Sequence, residues 1–234
     1  MNIVDKYIED KISGAMRDYI YRNSYRELDL IKSIVETGEV PDKYDLSSIN
    51  RVGDRALDNF YIRDIYNHHV SWCLVNNLWI SDLYDYIKGS KVIELYAGKG
   101  LISKLLQDKG LDITAYDSYK WDISTKYTEV LNFDCVNAIL QYPDNTLDYT
   151  LISWIPYEDT SCIDMVETLK KHQPNCKIIY IGEDYGGCTA CDEFFDQVID
   201  FDYNNEEEYE LFKKLNRNFQ QFDGIHDIIC IYSI

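Results

Sequence analysis

At 234 residues the chain is long enough to bury one substantial core, and its composition, 46% hydrophobic and 27% charged, is that of a globular protein. No apolar run reaches the ~18 residues that a membrane-spanning helix needs, and the N-terminus lacks the basic and apolar regions of a signal peptide, so we expect a soluble protein of the cytoplasm. Seven cysteines, an odd number, favour free thiols in a reducing compartment over a disulfide framework.

The net charge of −18 is unevenly distributed along the chain. Residues 1–88 hold 15 acidic and 11 basic residues, whereas residues 89–234 hold 26 and 12. A surface that binds nucleic acid needs clustered Lys and Arg side chains to replace counterions, and neither half contains such a cluster. Direct nucleic-acid binding is therefore disfavoured, and a small molecule or a protein is the favoured partner. Solubility alone is the other explanation of the acidity.

The first 88 residues predict a helical lobe. Apolar residues recur on one face over residues 2–22, and Ser24-Tyr-Arg-Glu27 has the spacing of a capping box before a second helix. A third helical pattern follows, and a short helix over residues 81–88 ends the lobe. We expect the lobe to pack against the domain formed by residues 89–234.

From residue 89 the pattern changes to alternating strands and helices. Short, largely apolar runs separated by helical segments indicate a parallel sheet that is covered on both faces. The predicted strands cover residues 92–96, 112–117, 129–133, 147–153 and 177–181, with a terminal strand over 226–233 that belongs to a late pair. The predicted helices cover residues 100–109, 134–141, 160–172 and 190–197. An open, doubly wound α/β sheet of this kind binds its ligand at the carboxyl ends of the central strands.

One group of residues carries most of the functional information. An apolar run that contains Glu94 is followed by Gly98 and Gly100 and at once by a helical pattern, which predicts a strand, a tight turn and a helix N-terminus. Asp117 ends the next strand, where a carboxylate can accept both hydroxyls of a ribose that lies over the turn. A nicotinamide dinucleotide site would have a third glycine where this chain has Ser103. The pattern therefore predicts a cofactor that contains a nucleoside.

The motif Glu94-Leu-Tyr-Ala-Gly-Lys-Gly100 resembles the first motif of the class I S-adenosylmethionine-dependent methyltransferases. Tyr96 stands where many members have glycine. The resemblance implies S-adenosyl-L-methionine as the cofactor, with Asp117 on its ribose and Asp134 near its adenine. It also implies a Rossmann-like, doubly wound fold with a mostly parallel seven-stranded sheet, in which residues 89–234 form the cofactor-binding domain and residues 1–88 the N-terminal helical lobe.

The segment after the fourth strand is the predicted acceptor side of the site. In this family that segment faces the methyl group, and Ser153-Trp-Ile-Pro-Tyr157 resembles the Asn/Asp/Ser-Pro-Pro-Tyr of members that methylate amines. The resemblance implies that Ser153, Trp154, Pro156 and Tyr157 hold the acceptor. It also implies that Trp72, just before the first strand, closes over the methionine end of the cofactor. Packing of the aromatic residues at the edge of the sheet is the alternative.

Two further motifs belong to the same resemblance. Gly182-Glu-Asp-Tyr-Gly-Gly-Cys-Thr189 follows the fifth strand, and its Glu183 is the candidate general base. Gly224-Ile-His-Asp227 precedes the last strand. Together with Trp-x-Pro after the fourth strand, these motifs resemble a group of methyltransferase-like proteins. Cys188 and Cys191 form a single Cys-x-x-Cys, which without a second pair or a nearby histidine predicts no metal site.

The sequence thus predicts an S-adenosylmethionine-dependent methyltransferase whose acceptor is not readable from the chain. Two alternatives stay open at this point. One is a regulatory or assembly subunit that binds S-adenosylmethionine without catalysis. The other is a nicotinamide-dependent oxidoreductase, which is the least favoured.

Overall fold

The computed structural model describes residues 2–49, 56–121, 125–202 and 204–234. The helices are α1 (Ile3–Lys11), α2 (Gly14–Asn23), α3 (Tyr25–Thr37), α4 (Leu46–Ile49), α5 (Ala56–His69), α6 (Asn77–Ile87), α7 (Leu101–Asp108), α8 (Cys135–Ile139), α9 (Ser161–His172), α10 (Asp192–Phe195) and α11 (Glu206–Asn216). The strands are β1 (Lys91–Leu95), β2 (Asp112–Asp117), β3 (Val130–Asn132), β4 (Tyr149–Ser153), β5 (Lys177–Gly182) and β6 (Ile228–Tyr232). Within these ranges, none of the helices combines the length and the apolar character that a membrane crossing needs.

The strands form one sheet in the order β3-β2-β1-β4-β5-β6. β1 pairs in parallel with β2 and with β4, so that Ile93 lies opposite both Thr114 and Thr150. β6 runs antiparallel to β5, with Cys230 opposite Tyr180. The strand order reverses between β1 and β4, and in such a sheet a crevice opens at the carboxyl ends of those strands. The predicted Rossmann-like α/β fold is confirmed.

The sheet has six strands in the described part of the chain, not the predicted seven. Beyond β6 the backbone makes one bridge, in which Ile199 and Ser233 exchange hydrogen bonds of 2.8 and 2.9 Å. Asp200 and Asp202 follow this bridge directly, and α11 begins four residues later and packs against β6. The residues that should form the second strand of the late pair therefore pass into a turn and a helix after one bridge.

The helices before β1 share one core with a face of the sheet. Ile8 of α1 and Leu83 of α6 are completely buried in a cluster that also contains Val92 of β1. The opposite face is covered by α8, α9 and α10, from which Met165 and Phe194 are completely buried. The core is therefore continuous across residue 88. The predicted division of the chain there into a helical lobe and a sheet domain stays a prediction.

Two helices replace the single helix predicted over residues 2–22. Ile12 is extended, with φ −107° and ψ 132°, and α2 begins after Ser13. Serine and glycine are weak helix formers, and Ser13 and Gly14 stand together at this break. The side chain of Ser24 makes no capping bond to α3, so the predicted capping box does not form.

Helix α11 lies in an acidic stretch for which the apolar pattern predicts no helix. The side chain of Asn205 accepts hydrogen bonds from the backbone N–H groups of Glu207 and Glu208 and so caps the helix. Three glutamates occupy its first turn and two lysines its last. Both placements are favourable for a helix dipole. Capping and charge favour the two ends of this helix, and Leu211 and Leu215 pack its inner face against the core.

Asn76 connects the start of α6 with the segment before β6. Its Oδ1 accepts the backbone N–H groups of Leu78 and Trp79, at 3.0 and 3.1 Å. Its Nδ2 donates to the carbonyl oxygen of Asn218 at 3.0 Å and to Oε1 of Gln220 at 3.1 Å. The whole side chain is buried.

We expect Asn76→Ala to lower the free energy of unfolding by about 2–3 kcal/mol, because it removes a helix cap and leaves buried backbone groups without partners. Asn205→Ala is the matched control. It removes the same kind of cap at the exposed start of α11, and we expect a loss of about 0.5–1 kcal/mol. Chemical denaturation measures both free energies of unfolding. If the two variants lost the same free energy, burial of the Asn76 cap would not account for its larger expected effect.

Candidate active site

A cavity of about 280 Å³ opens at the carboxyl ends of β1, β2 and β4. It lies where the strand order reverses, the usual ligand position in an open α/β sheet. The wall of this cavity includes most of the residues predicted for the site. These are Trp72, Glu94, Tyr96, Gly98, Asp117, Ser153, Trp154, Pro156 and Tyr157. The other three predicted residues, Gly100, Asp134 and Glu183, do not line it.

The two glycines of the turn after β1 serve different purposes. Both have a left-handed backbone, with φ 54° at Gly98 and 73° at Gly100. A Cβ on Gly98 would meet no atom within 4 Å, so the backbone there is bare. A Cβ on Gly100 would lie 2.8 Å from Cγ2 of Val130, so this glycine lets the turn lie close to β3. Gly98 is therefore the position at which a ligand can approach the backbone.

Tyr96 has a large side chain at a φ of 55°, a conformation that costs about 1 kcal/mol. Its hydroxyl lies 2.8 Å from Oγ of Ser161 and 3.6 Å from Sγ of Cys135. The ring therefore packs against the start of α8 and of α9. This contact offsets the strain of a tyrosine at a left-handed backbone position.

Glu94 is buried in β1 and bound to the first turn of α7. Its Oε2 accepts the backbone N–H of Ser103 at 3.0 Å and also accepts the Ser103 hydroxyl. Burial raises the pKa of Glu94 to about 7, although the bonds from Ser103 act to lower it. Ser103 stands where a dinucleotide-binding turn would have its third glycine. The serine side chain thus uses that position to hold a carboxylate on the cavity wall.

Asp117 ends β2 and faces the glycine turn. Its Oδ2 accepts the N–H of Gly98 at 2.9 Å, and its Oδ1 accepts the N–H of Tyr119 at 2.8 Å. Burial raises the pKa of Asp117, and these two N–H groups act against the rise. Each carboxylate oxygen has two acceptor positions, so each retains one after these bonds are made. An acid of this kind suits two adjacent hydroxyls, such as those of a ribose.

Asp134 lines a recess of about 40 Å³ beside the cavity, together with Tyr96 and Asp117. Its two oxygens accept hydrogen bonds from the backbone N–H and the side-chain amide of Asn137, at 2.8 and 2.7 Å. Asp134 therefore caps α8. Its predicted position near an adenine stays a prediction.

The segment after β4 forms the outer rim of the cavity, and both the end of β5 and the segment after β5 hold it in place. The N–H of Trp154 donates to the carbonyl oxygen of Ile181, and the N–H of Ala190 donates to that of Ile155, both at 2.9 Å. These bonds fix the backbone around Trp154, which has a φ of 55°. Ser153 is nearly buried and lies deep in the cavity, whereas Tyr157 is half exposed at its mouth.

Three groups surround the indole of Trp154. Its Nε1 donates to Oδ2 of Asp227 at 2.8 Å. Its ring stacks on Trp72, with centroids 5.5 Å apart and 20° between the planes, and the guanidinium carbon of Arg63 lies 5.9 Å from its centroid. Asp227 is only 2% exposed, and burial raises its pKa to about 7. The Gly224-Ile-His-Asp227 motif therefore acts on the cavity through Trp154.

Glu183 lies behind the rim, although the sequence predicts it as a general base. Its Oε1 accepts the N–H of His226 at 2.9 Å, and its Oε2 accepts the N–H of Cys188 at 2.7 Å. Burial acts to raise the pKa of Glu183, but hydrogen bonds from these residues outweigh it and leave the pKa below its ordinary value. A carboxylate held in this way is a poor proton acceptor. The geometry instead gives Glu183 a structural role, joining the segments after β5 and before β6.

Several residues of the wall are not among those that the sequence predicts. The segment after β2 contributes Lys120 and Trp121, and the segment after β4 contributes Asp159. Nζ of Lys120 lies 3.2 Å from Oδ2 of Asp159, so these two segments meet. Their position after predicted parallel strands is a usable signal, because such segments converge. Asn67 of α5 also lines the wall, and no pattern in the sequence points to it.

The Cys-x-x-Cys motif is divided between the cavity and the core. Cys188 is exposed and lines the cavity. Cys191 is buried, with its Sγ 3.5 Å from Sγ of Cys162. Across the described ranges, no group of three or more His, Cys, Asp or Glu side chains is placed to hold a metal ion.

No family model matches the chain, and no curated protein matches it. Solved structures similar to it include a SAM-dependent methyltransferase from Archaeoglobus fulgidus, with a TM-score of 0.40 and 14% identity over 66% of this chain and 91% of that one. The plantazolicin methyltransferase BpumL, solved with S-adenosylhomocysteine, has a TM-score of 0.45 and 12% identity over 89% of this chain and 99% of that one. The glycopeptide N-methyltransferase MtfA has a TM-score of 0.34 and 14% identity over 45% of this chain and 52% of MtfA, so the match spans about half of its length. All three are methyltransferases.

We expect Gly100→Ala to destabilise the protein more than Gly98→Ala. Each substitution places an alanine at a left-handed φ, which costs about 1 kcal/mol. Only Gly100→Ala also forces a Cβ against Val130, and this overlap raises its expected total cost to about 3 kcal/mol. Urea unfolding of both variants measures the difference. Equal losses would contradict the distinction between a ligand-facing and a packing glycine.

Glu94→Gln is expected to make the protein more stable than the wild type in mildly alkaline buffer and to lose that advantage in acid. The ordinary pKa of the carboxyl is 4.5, and that of folded Glu94 is about 7. The folded protein therefore binds the proton more tightly than the unfolded chain. The stability contributed by Glu94 is complete below pH 4.5 and is lost as the pH rises through about 7.

The difference in unfolding free energy between Glu94→Gln and the wild type should change by about 3 kcal/mol across this interval. Denaturation of both proteins in a series of buffers, without ligand, measures it. The pairwise difference cancels the titration of groups that do not interact with residue 94. A difference that does not vary with pH would contradict the raised pKa.

Proposed function

We propose that the protein is an S-adenosylmethionine-dependent methyltransferase. The observation that carries the proposal is the bond of 2.9 Å between the N–H of Gly98 and the carboxylate of Asp117. It brings two acceptor oxygens next to bare backbone at the carboxyl ends of β1 and β2. A nucleoside suits this arrangement, with its ribose hydroxyls on the acid.

Ser103 favours this cofactor over a nicotinamide dinucleotide. In dinucleotide-binding folds the third glycine lets the helix lie close to the strand. Here the buried Ser103 side chain fills that space and binds Glu94. A nicotinamide-dependent oxidoreductase is therefore the less favoured function.

The residues of the wall fit S-adenosylmethionine. Asp117 would accept the ribose hydroxyls, and Gly98 would let the ligand approach the backbone. Glu94 and Asp117 place acidic groups at the end of the cavity beside the glycine turn, whereas Asp159 is paired with Lys120. The acidic end suits a cofactor with a positively charged sulfur. When bound, the cofactor supplies an electrophilic methyl group on a positively charged sulfur.

The open rim favours catalysis over binding alone. The cavity continues from the glycine turn past Ser153 to Trp154, Pro156 and the half-exposed Tyr157. An acceptor that enters beside Tyr157 therefore reaches the same cavity as the cofactor. Holding two reactants in alignment is the largest contribution that a protein makes to a transfer of this kind. A regulatory or assembly subunit needs no such opening, so it is the second candidate.

The acceptor is a small molecule or a protein. Residues 89–234, which form the cavity with parts of α5 and the segment before α6, carry 26 acidic and 12 basic residues. A surface of this charge repels the phosphates of DNA and RNA. The acidity therefore supports an acceptor without a polyanionic backbone.

Titration calorimetry with S-adenosylhomocysteine tests the cofactor assignment. We expect binding at one site, and Asp117→Asn should weaken it about tenfold, because an amide nitrogen cannot accept the second hydroxyl. Asp134→Asn is the control, since asparagine retains an oxygen to cap α8, and a smaller effect is expected.

The outcomes separate the candidates. Absence of binding to the folded wild type would contradict both S-adenosylmethionine functions. Tighter binding of reduced nicotinamide adenine dinucleotide than of S-adenosylhomocysteine would favour the oxidoreductase. A crystal structure with S-adenosylmethionine in which the methyl group is closed off from Trp154 and Tyr157 would leave only the non-catalytic subunit.

A further inference from the structure

Exposed aromatic side chains gather around the mouth of the cavity. Trp72, Trp121 and Tyr157 all line it, and they are 50%, 68% and 53% exposed. Large aromatic side chains left in water beside a cavity are typical of binding surfaces, where they supply contact area at a low entropic cost. The mouth is therefore suited to a ligand with a flat, apolar part.

Trp154 provides a rigid surface at this mouth. Its backbone N–H is bound to Ile181 and its indole N–H to Asp227, so the ring is held at both ends. Trp72 stacks on it and remains half exposed, which extends the aromatic surface towards solvent. A surface that is fixed before binding loses little entropy when a ligand stacks on it. Asp227 acts here as a positioning residue, through Trp154.

Arg63 adds a positive charge beside these rings. Its guanidinium carbon lies 5.9 Å from the centroid of Trp154. Arg63 and Asn67 are four residues apart and share one face of α5, and Asn67 lines the cavity. Within the described ranges, no carboxylate forms an ion pair with Arg63. The aromatic surface is thus joined to a guanidinium that faces the same side of the molecule as the cavity.

The charge beside Trp154 decides whether an aromatic ligand at this surface is expected to be a cation or an anion. Stacked aromatic rings also bind cations, but a guanidinium already lies against Trp154 and would repel a second cation. Asp227, the acid beside this ring, is almost completely buried, and the charge of Arg63 acts to lower its pKa. No ion pair joins the two groups within the described ranges, so the guanidinium can still take a second anion. A carboxylate, by contrast, can accept two parallel N–H bonds from a guanidinium.

We propose that Trp72, Trp154 and Arg63 form the acceptor subsite, and that the acceptor is a planar aromatic carboxylate. The ring of the acceptor stacks on the Trp72–Trp154 pair, and its carboxylate pairs with Arg63. This inference rests on the proposed methyltransferase function, since it names the class of substrate for the same cavity.

Three probes that share one ring and differ in charge test this assignment: naphthoate, naphthamide and naphthylmethylammonium. Their binding to the full chain saturated with S-adenosylhomocysteine is measured by calorimetry. We expect naphthoate to bind about three- to tenfold more tightly than naphthamide, as a partly exposed charge pair allows, and naphthylmethylammonium to bind most weakly.

One variant and one control test whether Arg63 causes the preference for naphthoate over naphthamide. Arg63→Gln should bind naphthoate and naphthamide equally, with the affinity for S-adenosylhomocysteine unchanged. Arg26→Gln is the matched control, because Arg26 also lies over an aromatic ring, that of Tyr25, but on the exposed surface of α3. It should retain the preference of the wild type.

Three results would overturn the proposal. The first is that naphthylmethylammonium binds as tightly as naphthoate. The second is that Arg63→Gln still binds naphthoate more tightly than naphthamide. The third is that none of the three probes binds at millimolar concentration although S-adenosylhomocysteine does. Failure of S-adenosylhomocysteine to bind would instead overturn the proposed function itself. The two failures are therefore distinguishable.

Discussion

The parallel pairing of β1 with β2 on one edge and β4 on the other is the constraint on which the candidate site depends. Parallel neighbours end on the same side of a sheet, so the glycine turn after β1, Asp117 of β2 and Ser153 of β4 face one crevice. The bond from Gly98 to Asp117 then fixes the spacing of the first two elements. Without this pairing the same residues would not share a cavity.

Two carboxyl groups beside the cavity are buried, which lowers the stability of the folded protein, and each holds a neighbouring group in a fixed position. Burial raises the pKa of both Glu94 and Asp227 to about 7, so each ionised form is disfavoured in the folded protein. Glu94 holds the first turn of α7 through Ser103, and Asp227 holds the indole of Trp154. Residues that break a local rule of folding in this way are expected at functional sites.

The three motifs of the second half of the chain form one hydrogen-bonded unit. Trp154 binds Asp227, and Glu183 binds the backbone of both Cys188 and His226. All three motifs are recognisable in the sequence, from which Glu183 is predicted to act in proton transfer. The hydrogen bonds that lower its pKa are not visible in the sequence, because the one from Cys188 depends on the turn of the segment after β5 and the one from His226 spans 43 residues.

The sequence by itself determined the elements whose signals are local. Apolar runs, Gly98 and Gly100 after β1, and the acid at the end of β2 are short patterns set by backbone conformation and strand burial, and they were sufficient to predict the fold and the glycine turn. Only the tertiary structure decided which distant residues complete the site. Arg63 and Asn67 come from a helix before the sheet, and Trp154 binds an acid 73 residues away. The missing seventh strand was likewise decided by packing, since α11 and one bridge cover the edge of β6 in the described ranges. Such contacts depend on how helices and loops pack in three dimensions, which no periodic pattern encodes.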